Sequence, residues 1–388
     1  MANQLKKIVL TSLIVASFSL NAAPSVIPDA PIVAAKAFIL VDFDSGKVIA
    51  EKNADESLEP ASLTKMMTSY VIGQEIKAGN IALQDQVTIS KNAWAKNFPD
   101  SSKMFIEVGK TITVEKLNQG IIVQSGNDAC VAMAEHIAGT EGAFAQLMNS
   151  WSEQLGMNAT HFVNSHGLDN REHYTSARDM ATLGQALIRD VPEEYRIYAQ
   201  KKFTFNGITQ YNRNGLLWDK SMNVDGIKTG HTSQAGYNLV SSATKDNMRL
   251  IAVVMGTKNA DARKAESKKL LNFGFRFYET VTLHNANSNI VSERVWMGTQ
   301  EQISLGLAEK LTLTVPRGQA KNLTASFEIQ KELSAPIAKG DIVGKIFYNL
   351  NDEEIAQVDL IALEDVELGG WFSRLVDYFK LLFAGWFG

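Results

Sequence analysis

The spacing of apolar positions changes several times along the chain, and each change marks an element. AFILVDF (37–43) and KVIAEK (47–52) are short apolar runs separated by Asp44-Ser45-Gly46, which predicts a β-hairpin. From Ser62 the spacing becomes helical, with apolar residues at 63, 66, 67, 70 and 71 and a stop at Gly79-Asn80. Residues 113–190 read as mostly helical, with loops at 156–176. NLVSSAT (238–244) and RLIAVVMGT (249–257) predict two strands joined at Asp246-Asn247, and 260–280 predicts a long helix. Strands at both ends of the first 280 residues thus bracket a helical middle. The expected class is α/β (α+β): one antiparallel sheet covered by helices, spanning 32–280. From 281 to 366 the runs become short and alternating (RVWM, LTLTV, TASFEI, IVGKIFYN, QVDLIAL), which predicts a small all-β domain.

Both termini stand apart from this pattern. Lys6 and Lys7 precede an apolar run from Ile8 to about Leu20, followed by Ala22 and Ala23. This reads as a secretory signal over 1–23, and the run is short for an uncleaved membrane anchor. The mature chain is therefore expected outside the cytoplasm. At the other end, 369–388 predicts an amphipathic helix. Arg374, Asp377 and Lys380 recur every three residues on one side, with aromatic and aliphatic residues over the rest. A spanning helix would bury those charges, whereas a helix in the headgroup plane leaves them wet. A helix docked on the protein's own core is the alternative.

Composition narrows the function classes. At 388 residues the chain is comfortable for two domains, and 45% apolar with 21% charged residues is ordinary for a globular protein. A net charge of −4 gives no sign of nucleic-acid binding. Cys130 is the only cysteine, so no internal disulfide forms, and a small buried hydrophobe is its expected role. The six histidines show no His-Glu-x-x-His, so neither a metal nor another cofactor is expected. His166 is expected to be structural.

The candidate chemistry begins in PASLTKMM (60–67). A serine hydroxyl needs an adjacent base to attack a carbonyl, and Lys65 lies one helical turn from Ser62. Lys65 serves only when neutral, which requires burial or a second cation nearby. DGIKTGHT supplies that cation in Lys228, with Thr229, Gly230 and His231 beside it. On an edge strand these residues would clamp a substrate carboxylate and pair with an extended peptide, Gly230 leaving room for its approach. QSGNDAC places Ser125 and Asn127 at a turn before a helix, where Ser125 can relay a proton and Asn127 can hold an amide. Each motif alone is weak (Ser242 and Lys245 repeat the first, and a lone Lys-Thr-Gly is often just a turn), so the signal is the ordered set of three, each at a suitable element.

With these motifs, and with HGLD, SARDMA, NRNGLLW, AESKKLLNFGFRFYET, TVPRG and the aromatic tail, nearly the whole chain resembles a low-molecular-mass penicillin-binding protein. The resemblance is to the D-alanyl-D-alanine carboxypeptidases of the penicillin-binding protein 5 and 6 group. It implies a penicillin-binding transpeptidase-like domain, a peptidoglycan pentapeptide stem as substrate and β-lactams as inhibitors. It also implies peripheral anchoring to the outer face of the inner membrane in a Gram-negative periplasm, and it allows a homodimer. It makes Ser62 the nucleophile, Lys65 the base, Ser125 and Asn127 cleft residues, and Lys228 and Thr229 the carboxylate partners. The backbone N–H groups of Ser62 and His231 resemble the family's oxyanion hole, and Arg213 and Arg263 match arginines near the cleft. For Arg263 the alternative is a surface helix arginine. The segment AKNFPDSSKMF (95–105) is shorter than the family pattern, which bears on substrate preference if it lines the cleft.

Three other readings compete. A β-lactamase shares the motifs, but no Glu-x-x-Leu-Asn follows Ser125. A DD-endopeptidase or transpeptidase would use the same residues on another acceptor. A non-catalytic wall-binding or wall-shape scaffold would need only the C-terminal domain and anchor.

Overall fold

The computed structural model describes residues 27–387, so the signal expected over 1–23 lies outside the described residues. The hairpin forms as β1 (Ala37–Asp42) and β2 (Val48–Lys52). The central helices are α1 (Lys65–Lys77), α2 (Asn127–Ala138), α3 (Glu141–Gln154) and α4 (Ala177–Asp190). Then come β3 (Asn223–Thr232), β4 (Gly236–Lys245), β5 (Met248–Thr257) and α5 (Ala260–Phe277). The five strands make one antiparallel sheet in the order β2-β1-β5-β4-β3, assembled from both ends of the domain as the pattern predicts.

Strand alternation sorts side chains between two cores. Ile39, Val41, Ile251 and Val253 pack with Met67 and Val71 of α1 and Leu183 and Leu187 of α4. Their neighbours Phe38, Leu40, Leu250 and Ala252 pack on the other face with Leu270, Leu271 and Phe275 of α5. With both faces covered, β1 is buried along its length, which is why its sequence is an unbroken apolar run. β3 is left at the sheet edge.

The C-terminal domain is all β. Its six-stranded sheet runs, in spatial order, through 323–329, 342–350, 353–362, 302–306, 291–296 and 333–334. A separate pair joins 278–284 to 311–316.

Several details differ from the expectations. The segment 61–64 is a 3₁₀ turn and the α-helix starts at Lys65. The helix expected to 280 ends at Phe277, because Tyr278–His284 pairs with Leu311–Pro316 and that pairing overrides helical spacing. The strand Gln302–Gly306 and the ribbon of Lys202–Phe205 with Ile208–Tyr211 were too short to register as periodic.

The C-terminal helix, Trp371–Phe387, also corrects one expectation. Its polar side is not wholly wet. Asp377 turns toward the β domain, where its carboxylate accepts from the Met297 N–H at 2.9 Å and lies 3.8 Å from Arg294. Trp371, Phe372, Tyr378 and Phe379 face outward and are exposed. Docking through a single carboxylate thus holds the helix with its aromatic side away from the protein. Among the described residues no helix is long and apolar enough to cross a membrane.

Candidate active site

The chain reaches α1 through Ala61, whose φ of 49° is left-handed and strained for a residue with a Cβ. That kink presents Ser62 in a cleft of about 630 Å³ between the start of α1, the start of α2 and the edge strand β3. Lys65, at the first turn of α1, is buried to 1% exposure. Its Nζ donates to Ser62 Oγ at 3.0 Å, to Asn127 Oδ1 at 2.7 Å and to the His166 carbonyl at 2.5 Å. Three acceptors take the three N–H bonds of an ammonium. A neutral amine can keep the two to Asn127 and His166 and aim its lone pair at the Ser62 hydroxyl. Burial is the main force on this group; with Cys130 and Asp128 raising its pKa and Arg213 lowering it, the net result is a pKa brought down to about 8.

The second cation stands where the sequence predicts it. Lys228 is buried, and its Nζ donates to Ser125 Oγ at 3.1 Å and to the Thr229 carbonyl at 3.2 Å. Its pKa lies well below the ordinary range, through burial first and then the positive charges of Lys65, Arg213 and Arg263. The turn before α2 brings Ser125 into reach by placing it in the left-handed region, at φ 60°.

The structure brings all ten predicted residues to one place. Ser62, Ser125, Asn127, Arg213, Thr229, Gly230, His231 and Arg263 line the cleft, and the buried Lys65 and Lys228 lie at its floor. The structure sets aside the surface alternative for Arg263 and adds partners for Asn127 and Gly230. Arg263 is not a surface residue: it is 7% exposed, donates to the Gly230 carbonyl at 3.2 Å and lies over the Tyr237 ring. Asn127 is fixed at both ends of its amide, its carbonyl accepting from Lys65 and its Nδ2 donating to Ser101 Oγ at 3.0 Å, which leaves one N–H for the cleft. Gly230 makes room for the protein's own backbone rather than a ligand, because a Cβ there would sit 2.7 Å from the Pro60 carbonyl oxygen.

The 95–105 segment does line the cleft, through Ser101 and Ser102. Ser102 Oγ accepts from Arg213 at 2.7 Å, and its carbonyl accepts from the Asn127 N–H. Asp128 straps this segment down. Its carboxylate accepts from the backbone N–H groups of Met104, Phe105 and Ile106. The sequence reading missed Asp128, whose only signal is its place directly after Asn127. It also missed Gly167, where φ is +85° and a Cβ would meet the Ala61 carbonyl oxygen at 1.9 Å. The signal there was the glycine in HGLD. Tyr237, stacked 3.9 Å from the His231 ring, carried none.

The comparisons with known proteins agree with this geometry. The family model described as D-alanyl-D-alanine carboxypeptidase matches residues 25–259, and penicillin-binding protein 5, C-terminal domain, matches 278–368. The chain therefore belongs to the D-alanyl-D-alanine carboxypeptidase family. It is 54% identical to the D-alanyl-D-alanine carboxypeptidase DacA of Escherichia coli K12, over 94% of this chain and 91% of that protein. To DacC of the same organism it is 52% identical, over 93% and 91%. Penicillin-binding protein 5 from Haemophilus influenzae has the same structure at a TM-score of 0.85 and 50% identity, over 87% of this chain and 98% of that one. The expected transpeptidase-like fold with an all-β C-terminal domain, and the expected enzyme class, both stand.

Proposed function

We propose that the cleft removes the terminal D-alanine of a peptidoglycan pentapeptide through an acyl-enzyme on Ser62. The observation that carries this reading is the hydrogen-bond set of Lys65, which leaves one direction for a lone pair and points it at Ser62 Oγ. The substrate carboxylate meets Lys228, Thr229 and Arg263, with Arg213 at the rim. A carboxylate beside Lys228 favours its charged form.

Lys65 takes the Ser62 proton as Oγ attacks the carbonyl carbon. The oxyanion is assigned to the N–H groups of Ser62 and His231. Ser125, bonded to Lys228, relays the proton held on Lys65 to the departing amine of D-alanine, taking it up as it gives away its own, so that Lys65 is neutral again. Water then attacks the ester, with Lys65 again as base. A β-lactam follows the first half of this route, its amide nitrogen leaving but staying tethered.

The outward aromatic side of the C-terminal helix supports peripheral attachment to a membrane surface, and with the N-terminal signal pattern it supports a periplasmic location. The test of function is D-alanine release from a diacyl-Lys-D-Ala-D-Ala peptide, with Ser62→Ala alongside. Release by the wild type alone is expected. No release from either protein would turn the reading toward a scaffold.

A further inference from the structure

We propose that Glu141 is a positioning residue for the Ser62–Lys65 pair: from the first turn of α3 it holds the Ser165–His166 turn whose carbonyl accepts from Lys65. This rests on Lys65 as the base and adds what sets its geometry. The His166 carbonyl belongs to a buried bend outside any helix or strand, so side-chain bonds rather than a regular backbone ladder must fix it where it meets Lys65 at 2.5 Å. From α1, Thr68 Oγ1 donates to the Ser165 carbonyl. Within the turn, Asn164 Oδ1 accepts from the His166 and Gly167 N–H groups.

Glu141 is the tie from a separate element. Its Oε1 accepts from the Ser165 N–H at 3.0 Å and from Ser165 Oγ at 2.6 Å. The same oxygen lies 3.4 Å from His166 Nε2. His166 Nδ1 accepts from the Leu168 N–H, so the ring proton sits on Nε2 and faces Glu141. Burial holds this imidazole neutral, with a pKa pushed down to about 3, and its ring packs edge-on against Phe98. Glu141 thereby links α3, the Lys65 acceptor and the 95–105 segment.

A carbonyl that accepts from an ammonium stabilises the charged form. Loosening it therefore has two effects: the lone-pair direction of Lys65 blurs, and its protonated form loses an acceptor. The charged and titratable groups that also face Lys65 are Cys130, Arg213, Asp128, Lys228, His166 and His173; of these Glu141 acts on His166 by contact and on Cys130 by its charge, and Glu141→Gln separates that charge from the hydrogen bonds.

The experiment is the pH profile of acylation by a fluorescent penicillin, for wild type, Glu141→Ala and Glu141→Gln, with thermal melts of each. Glu141→Ala is expected to acylate about 10- to 100-fold more slowly, the scale for a misplaced reacting group, with its acid limb moved to lower pH. Glu141→Gln keeps an oxygen for both Ser165 bonds and is expected within about threefold of wild type. If Gln falls as far as Ala, the charge at the helix start is what counts and the proposal fails. It fails equally if Ala leaves rate and acid limb unchanged, or lowers the melting temperature without moving the limb. Should Glu141→Ala not fold, Ser165→Ala decides, since it removes one of the two bonds and should shift the limb the same way by less. Absence of acylation in the wild type would sink the functional reading instead.

Discussion

The chain contains the same short pattern twice, at 62–65 and at 242–245, and the two copies meet different backbones. At 62–65 a 3₁₀ turn runs into α1, and one turn of helix brings Lys65 Nζ within 3.0 Å of Ser62 Oγ. At 242–245 the pattern lies on β4, where residues three apart point to opposite faces. There Ser242 faces inward and accepts from Arg249 at 2.6 Å, while Lys245 is exposed. Burial completes the difference. Lys65 is enclosed beside other cations, and its pKa is brought down to about 8, chiefly by burial, whereas Lys245 stands in solvent. A motif of two residues carries chemistry only where backbone period and core agree on it.

That contrast is breakable in order of effect. The largest effect belongs to Ser62→Ala, which should abolish acylation. Lys65→Arg keeps charge but cannot act as a base, and should slow acylation by about 10²–10⁴-fold. Lys245→Arg, measured the same way, should match wild type; any comparable loss there would erase the distinction. Next is Gly167→Ala. Its Cβ has no room against Ala61 and its φ is left-handed, so denaturant melts should show destabilisation by more than about 1 kcal/mol, with slower acylation. Arg263→Ala should raise KM for a peptide ending in a free carboxylate by about tenfold, the scale of a charged hydrogen bond, with kcat less changed. Equal losses on a C-terminal amide would contradict carboxylate recognition. Smallest is Ser242→Ala, which removes an acceptor of Arg249 and should cost about 1 kcal/mol of stability without touching activity.

Much of this arrangement was legible in advance. The apolar runs of β1, β4 and β5 carried the sheet, because strands covered on both faces bury nearly every side chain. The three motifs carried the catalytic residues, because their chemistry restricts residue type. What stayed hidden depends on partners distant in sequence. Nothing local to Asn127 says that both ends of its amide are held, and nothing local to Arg263 says that β3 and Tyr237 cover it. Asp128 and Glu141 act on backbone N–H groups, which every residue has, so no pattern of side chains could announce them. Beyond residue 280 most strands were legible as alternating runs; the strand 302–306 and the order of the sheet escaped, because that order follows from pairing, not from period.

The most direct measurement is the rate and site of penicilloylation as a function of pH, followed by peptide mapping. A neutral Lys65 acting as base predicts a single adduct on Ser62 whose rate of formation rises with pH through about 8, because the fraction of unprotonated amine grows there. An adduct on Ser242, or a rate on Ser62 that stays flat from pH 6 to 9 in steps of about one unit, would contradict the account.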